Sequence, residues 1–539
     1  VREGQHDRRR GSRLTIFAEA APATRGEHLA LRVLQFGAIA VVLSVSQYVA
    51  FELDRFFVPK ELAFHLAVAL AAICGAHTFT RVSATRIDRL IALYLLLSAI
   101  SALFATNRWL AFRALAISAS SALLFWLARG LRAAGIARPL IGALALAVIL
   151  AAITALLQTY GVASFLFSEN RAPGGTLGNR NFIAHVAAFG LPLVLLAALR
   201  AHVAFLIRAG GVALVVATLV LTRSRAAWLA FAAVMIVFFL SMIVSSSLRR
   251  DARTWRRMFA ILLITAGGVG AALVIPNTLH WRGRDPYMQS MRRVADYQQG
   301  SGRGRLVQYT QSLSMALHHP LFGAGPGNWP VVYPEHAVRN DPSMNESEPG
   351  TTANPWPSSD WVACLSERGF ASFIVFALIL LGIAVNAVRQ LFAARDADEA
   401  LIATALLGTI AGAGISGLFD AVLLLAVPAF LVWATIGALL VPPPEPRPLR
   451  KSIVIVIMLT TVLGAARSAM QLAAMRIYST GSDRASLSRG AQLDPGNFRL
   501  QLRLARAGGR ERCAHALAAR SLFPNAKAAI DLSRGCGDR

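Results

Sequence analysis

The chain has 539 residues, with 54 Lys and Arg against 28 Asp and Glu, a formal net charge of +26. Hydrophobic residues make up 55% and charged residues 15%, whereas an ordinary soluble domain is about 25% charged. That excludes a disordered chain, which needs low hydrophobicity. It also argues against a string of soluble domains, and the scattered cysteines do not suit a disulfide scaffold or a zinc cluster.

In chain order, residues 1–28 are polar and carry Arg8, Arg9 and Arg10. They are expected to be a cytoplasmic tail before an uncleaved first span, because the next apolar run is too long for a signal-peptide core. A spanning helix needs roughly 20 mostly apolar residues, and about thirteen such runs follow. They lie near 30–50, 59–79, 88–105, 108–128, 138–160, 181–199, 203–221, 226–246, 258–276, 361–387, 400–418, 420–441 and 452–475. No strand-like alternation occurs, so a β-barrel is out. The expected fold is an all-α polytopic membrane protein of about 12–13 transmembrane helices. Its parts are spans over 29–277, a large periplasmic loop over 278–359, further spans over 360–475 and a helical tail over 476–539.

Arginine placement orients these spans. One set of loops holds Arg81, Arg86 and Arg89; Arg129, Arg132 and Arg138; Arg200 and Arg208; Arg249 to Arg257; Arg389 and Arg395; Arg447, Arg450 and Lys451. The positive-inside bias puts that set in the cytoplasm, with the N-terminus inside and the C-terminus outside. The basic charge then reads as a topology signal, and no nucleic-acid partner is expected. In the 278–359 loop, Leu306, Tyr309, Leu313, Ala316 and Leu317 have helical spacing, as in a helix lying on the bilayer surface. In the tail, Leu493-Asp494-Pro495-Gly496-Asn497 recurs loosely as Leu522-Phe523-Pro524-Asn525, like a degenerate tetratricopeptide repeat. An exported tail permits a Cys513–Cys536 disulfide, with free thiols as the alternative. Cys74 and Cys364 read as small apolar residues inside spans.

Three helix starts face the same side as the long loop. They are Gly174-Gly175-Thr176-Leu177-Gly178-Asn179-Arg180-Asn181, Thr222-Arg223-Ser224-Arg225, and Pro357-Ser358-Ser359-Asp360-Trp361. A helix N-terminus presents free N–H groups and partial positive charge, and arginine adds a planar fork matched to phosphate oxygens. Arg180, Arg223 and Arg225 therefore form a candidate diphosphate site, with Asn181 and Ser224 as caps and Arg303 and Arg305 adding charge from the loop. The alternative is capped turns whose arginines snorkel to headgroups. His185 lies one turn beyond Asn181, as a packed residue or a member of that face. Lys60 and Arg113 are weaker candidates of the same kind. Asp360 reads either as a general base for an attacking hydroxyl or as a charge that favours the helix dipole. Glu367 lies two turns deeper, and His319 is a further proton acceptor or part of a His-Pro turn. No P-loop, no His-Glu-x-x-His and no Asp-x-Asp pair on a loop is read, and without paired acids to hold a divalent ion neither metal nor cofactor is expected.

These features, in this order, resemble the O-antigen ligase and polymerase family of bacterial membrane glycosyltransferases. Gly175-Thr176-Leu177-Gly178-Asn179-Arg180-Asn181 is similar to its Gly-Thr-x-Gly-Asn-x-Asn segment, and Ser224-Arg225 to its Ser-Arg-Gly helix start. Gly302-Arg303 through His319-Pro320-Leu321-Phe322-Gly323-Ala324-Gly325-Pro326-Gly327-Asn328 resembles its loop, and Glu367-Arg368-Gly369 its Glu-x-Gly. The family's His-Asn, about nine residues before that Glu, is replaced by Ser358-Ser359, so the base role moves to Asp360. The resemblance implies transfer of glycan from a polyprenyl-diphosphate carrier to lipid A-core, another glycan or a protein, on the outer face of a bacterial inner membrane and among membrane lipids, with arginines on the diphosphate, in agreement with Arg180, Arg225 and Arg303. The expected reaction is an inverting, metal-independent transfer with the diphosphate held by Arg180, Arg223, Arg225 and Arg303 or Arg305. A polymerase or protein ligase, a lipid-linked sugar transporter and a non-catalytic scaffold are the alternatives.

Overall fold

The computed structural model describes residues 22–536 except 50, 52, 202, 282–284, 293–297, 299 and 442–448. The chain enters through α1 (Arg25–Leu43), α2 (Asp54–Cys74), α3 (Arg86–Leu103), α4 (Arg108–Ala133) and α5 (Arg138–Thr159). It continues through α6 (Arg180–Leu199), α7 (Phe205–Leu221), α8 (Arg225–Val244), the single turn α9 (Ser246–Arg249) and α10 (Ala252–Val274). The long loop holds α11 (Pro286–Arg292), α12 (Gly300–His318) and α13 (Trp329–His336). Then come α14 (Asp360–Phe392), α15 (Ala397–Ser416), α16 (Ala426–Leu439) and α17 (Lys451–Thr480). The tail is α18 (Arg484–Leu493), α19 (Phe498–Arg506), α20 (Arg512–Leu522) and α21 (Lys527–Ser533).

Each apolar run of the sequence coincides with one helix, so the fold is all-α and polytopic. Among the described residues, 10 helices are long and apolar enough to cross a membrane, and α7 and α16 are shorter apolar helices. α3 has the length, but Arg86, Asp88 and Arg89 crowd its first turn. The apolar stretch of α6 is 94% buried and that of α10 only 17%. α6 is therefore central, and α10 turns Phe259, Leu262 and Leu263 outward. Such an apolar exterior suits lipid rather than water.

Hydrogen bonds between distant loops stitch each end of the bundle. At the arginine-rich end, Arg81 pairs with Glu27 at 2.6 Å, Arg129 with Asp88 at 2.5 Å, and Arg200 with Asp398 at 2.7 Å. At the other end, Asn107 N–H donates to Asn328 Oδ1 at 2.7 Å, Thr278 N–H to the Thr159 carbonyl at 2.9 Å, and Asp360 N–H to the Gly417 carbonyl at 2.9 Å. This second end gathers all three helix starts singled out in the sequence, together with the long loop and the tail.

The tail packs onto this end rather than standing free. Asn107 Nδ2 donates to the Gly496 carbonyl at 3.0 Å, Trp109 Nε1 to Asp494 at 2.7 Å, and Arg499 pairs with Glu348 at 2.6 Å. Its helices are joined at the two Pro-containing turns read from the sequence, and Cys513 and Cys536 are disulfide-bonded. In α12 the expected apolar face divides. Leu306, Leu313 and Leu317 point outward, whereas Gln308, Ser312, Met315 and Ala316 are buried. The reason is polar: Gln308 Nε2 donates to Ser343 and its Oε1 accepts from the Ser358 N–H at 2.6 Å, so this face is pulled onto the loop and the start of α14.

Candidate functional site

The starts of α6 and α8 converge on one indole. The guanidinium of Arg180 lies 5.0 Å from the Trp281 ring centroid and that of Arg223 4.8 Å. Arg171 is a further like-charged neighbour of Arg180. Stacking on an aromatic face holds two cations close together while leaving N–H edges for an anion. Arg223 has a positive φ of 54°, and its Nε donates to Ser290 at 2.9 Å, which ties α11 to this rim. Partial burial lowers its pKa from the ordinary guanidinium value, with Tyr287 opposing, and it stays cationic. Arg225 opens α8 beside them. The cap of α6 is Asn179, not the expected Asn181: its Oδ1 accepts from the Asn181 N–H at 2.9 Å. Gly178, at φ 71°, turns the chain so that Asn179 reaches the extended cap geometry two residues before Asn181.

A second cluster surrounds the break between α15 and α16. Asp360 Oδ1 and Oδ2 accept from the Val422 and Leu423 N–H groups at 3.0 Å. The carboxylate expected to serve as base is thus buried and holds a loop in place. That loop carries Asp420, whose Oδ2 lies 3.5 Å from His185 Nε2. Arg305 Nε donates to the neighbouring Phe419 carbonyl at 2.9 Å, and the Tyr309 hydroxyl donates to the Ser358 carbonyl at 2.8 Å. Arg303 is exposed on α12. The loop therefore links Arg305 on one side to His185, one helical turn from Arg180, on the other. Asp420 is the member that sequence reasoning missed. Its signal was an acid inside an apolar stretch, which is costly unless it has a task.

The third element is a break inside α14. Gly369 has φ 78° and ψ 173°. The carbonyls freed there are taken by the long loop: Ser366 C=O accepts from Ala324 N–H at 3.0 Å and Glu367 C=O from Gly325 N–H at 2.9 Å. A Cβ on Gly323 would lie 2.2 Å from the Glu367 carbonyl carbon, and one on Gly369 2.3 Å from the Leu321 oxygen. The glycines of both motifs thus allow two backbones to touch. Glu367 Oε2 accepts from Gly327 N–H at 2.8 Å and Oε1 from Trp329 N–H at 3.3 Å, placing its charge at the start of α13, where the helix dipole favours it. His319 is exposed at the loop's entry, and the His318 and His336 rings are 5.2 Å apart.

Residues 210–392 match a family model described as O-antigen ligase. The chain carries an O-antigen ligase family domain. No curated protein matches the chain at a significant level. The matched residues include Arg223, Arg225, the long loop and α14, whereas Arg180, His185 and Asp420 lie outside them and join them through the contacts above.

Beneath the loop, against the tail, lies a cavity of about 1210 Å³ counted to its open mouth. Its lining carries Asp54, Glu61, Glu367 and Asp494 alongside Arg113, Arg368, Arg467 and Arg499, and none of the rim arginines. Arg113 Nε donates to both oxygens of Glu61, at 2.8 and 3.0 Å, so it is an internal ion pair rather than a headgroup anchor. Lys60 is buried and donates to the Ser44 carbonyl. Charges within spans were the sequence signal for this cavity, but Asp54, Glu61, Arg368 and Arg467 sit on three helices far apart in the chain. Among the described residues no three His, Cys, Asp or Glu side chains gather as metal ligands. Contrary to the sequence reading, one Asp-x-Asp pair does occur, Asp396-Ala397-Asp398, but it lies at the arginine-rich end. There Asp396 caps α15 and Asp398 pairs with Arg200.

Proposed function

We propose that this membrane glycosyltransferase moves a glycan from a polyprenyl-diphosphate carrier to an acceptor hydroxyl at the periplasmic face of a bacterial inner membrane. The observation that carries the proposal is the convergence of Arg180 and Arg223 on Trp281, beside Arg225, in a chain with an O-antigen ligase domain. Two stacked guanidinium groups at two helix starts match the two phosphates of a carrier whose lipid tail lies between spans. The arginine bias of the opposite loops and the disulfide in the tail support an exported location for this end.

In this reading the acceptor oxygen bonds to the anomeric carbon as the carbon–oxygen bond to the diphosphate breaks, with inversion. Arg180, Arg223 and Arg225, with Arg303 and Arg305 above, stabilise the departing charge, usually the largest catalytic term. The hydroxyl proton passes to Asp420, which His185 faces at 3.5 Å. Asp360 positions the loop that carries Asp420, and Glu367 positions the loop over the site. The test is in vitro transfer from a lipid-linked donor. Asp420→Asn should abolish transfer in a folded protein, and Asp360→Asn should lower stability and transfer together. Full transfer by Arg180→Ala/Arg223→Ala would sink the proposal. Ligase and polymerase differ in the knockout: carrier-linked polymer accumulates without the ligase, and single repeats cap lipid A without the polymerase.

A further inference from the structure

The tail carries charge that neither the transfer step nor the orientation of the spans explains. Residues 483–536 hold ten Lys and Arg against four Asp and Glu. They lie at the end of the bundle opposite the arginine-rich loops, where the bias that orients spans calls for no basic residues. All four acids are already engaged. Asp483 caps α18, Asp494 accepts from Trp109, Glu511 lies 3.2 Å from Arg484, and Asp531 lies 3.4 Å from Arg534. Arg489, Arg506, Arg510, Arg512 and Lys527 are exposed, with no side-chain hydrogen bond or ion pair among the described residues.

Three of these five cations gather at one point. Phe498 and Phe523 stack with ring centroids 4.2 Å apart, and both line the cavity. α19 leaves that stack and α20 returns to it. The turn between them is therefore the distal tip of the pair, about 12 Å from Phe498 at roughly 1.5 Å per helical residue. Arg506 closes α19, Arg510 lies in the turn, and Arg512 opens α20. Gly508 and Gly509 bend the chain there, at φ 75° and 88°. A Cβ on Gly509 would lie 1.9 Å from Arg484 Nη1, so this glycine lets Arg484 close on the turn and donate to the Gly508 carbonyl at 2.6 Å. On the other side Cys513, next to Arg512, is bonded to Cys536. The tip is held in shape from both sides while Arg506, Arg510 and Arg512 face water.

A fixed cationic tip with nothing to neutralise it suits a partner that carries several negative charges in a row. A membrane surface fits less well, because helices that lie on lipid show large apolar side chains beside the basic ones. Among the described residues of the tail, Leu517 is the one large apolar side chain exposed. Residues 499–522 contain no Phe, Tyr or Trp, the rings on which a nucleic-acid strand would stack. We propose that the α19–α20 tip binds a polyanionic glycan, a chain whose repeat bears carboxylate or phosphate groups, outside the cavity. This goes beyond the transfer reading. Binding is measured without donor, so its failure leaves that reading standing, and full transfer by Arg180→Ala/Arg223→Ala leaves the tip site standing.

The experiment titrates purified full-length protein, in an uncharged detergent, into fluorescein-labelled polygalacturonate, with labelled dextran as the neutral control and anisotropy as the readout. Polygalacturonate should bind, more weakly as salt rises, and dextran should not. Arg506→Ser/Arg510→Ser should weaken binding about fivefold or more, with the unfolding midpoint of the wild type. Arg520→Ser/Lys527→Ser removes the same charge nearer the cavity end of the tail and should change the affinity less than about twofold. No binding of polygalacturonate, equal binding of dextran, an equal loss in the two double variants, or displacement by phosphatidylglycerol at equal charge overturns the proposal.

Discussion

Near the starts of α6 and α8, Arg180 and Arg223 stack on a single indole, and Arg223 is also tied to Ser290. In the cavity between α4, α14 and α17, Arg368 and Arg467 are buried and hydrogen-bonded to neutral groups, while Arg113 pairs with Glu61. The rim costs little to hold cationic, because water and a π face share the charge. The cavity arginines are fixed by these bonds. The same residue type is therefore stacked and partly exposed at the rim and fully buried in the cavity. The cavity is framed by the 320–329 loop seated in the break of α14, whose Gly327 lines it.

The comparison breaks most completely at that frame. Gly323→Ala places a methyl against the Glu367 carbonyl at a φ of 64°, at a cost of about 3 kcal/mol or more. Loss of folded protein in size-exclusion chromatography would register it. Arg113→Ala acts on the cavity alone. It leaves Glu61 buried without its partner, so stability should fall by about 3–5 kcal/mol, read as a lowered unfolding midpoint. Arg180→Ala/Arg223→Ala acts on the rim alone: transfer should drop about 10²–10³-fold with the midpoint near that of the wild type. Cys513→Ser should destabilise the tail by about 2–4 kcal/mol, seen as faster proteolysis of 484–536. Transfer to a neutral acceptor should persist.

The smallest effect concerns pH. Burial holds the His336 pKa below its ordinary 6.5, against Glu335 and with the help of His318 and His319. The folded state therefore binds fewer protons than the unfolded one, and stability is lost as pH falls below 6.5. Amide exchange across α12 and α13 should quicken on acidification, and His336→Gln should remove that dependence.

Most of the bundle was legible in the sequence. Runs of apolar residues fix helices locally, because a backbone in lipid must satisfy its own hydrogen bonds. Arg180, Arg223 and Arg225 could be read because the signal lies within a few residues of each helix start. Asp360 and Glu367 were read as chemically active acids. Both instead accept backbone N–H groups from segments distant in the chain, Asp360 from 422–423 and Glu367 from 327–329. The glycines of the long loop were visible as a motif, but their purpose, contact with the break in α14, was not.

What the residues determined by themselves was the number and order of the apolar helices, the arginine-rich loops and the Pro-containing turns of the tail. Each depends on neighbours a few positions apart. Tertiary structure alone decided that Trp281 receives two arginines, that Asp420 faces His185, and that Arg368 and Arg467 share a cavity with the tail. Those pairings join residues separated by tens to hundreds of positions, and a charge in a span is assigned its partner only when helices pack.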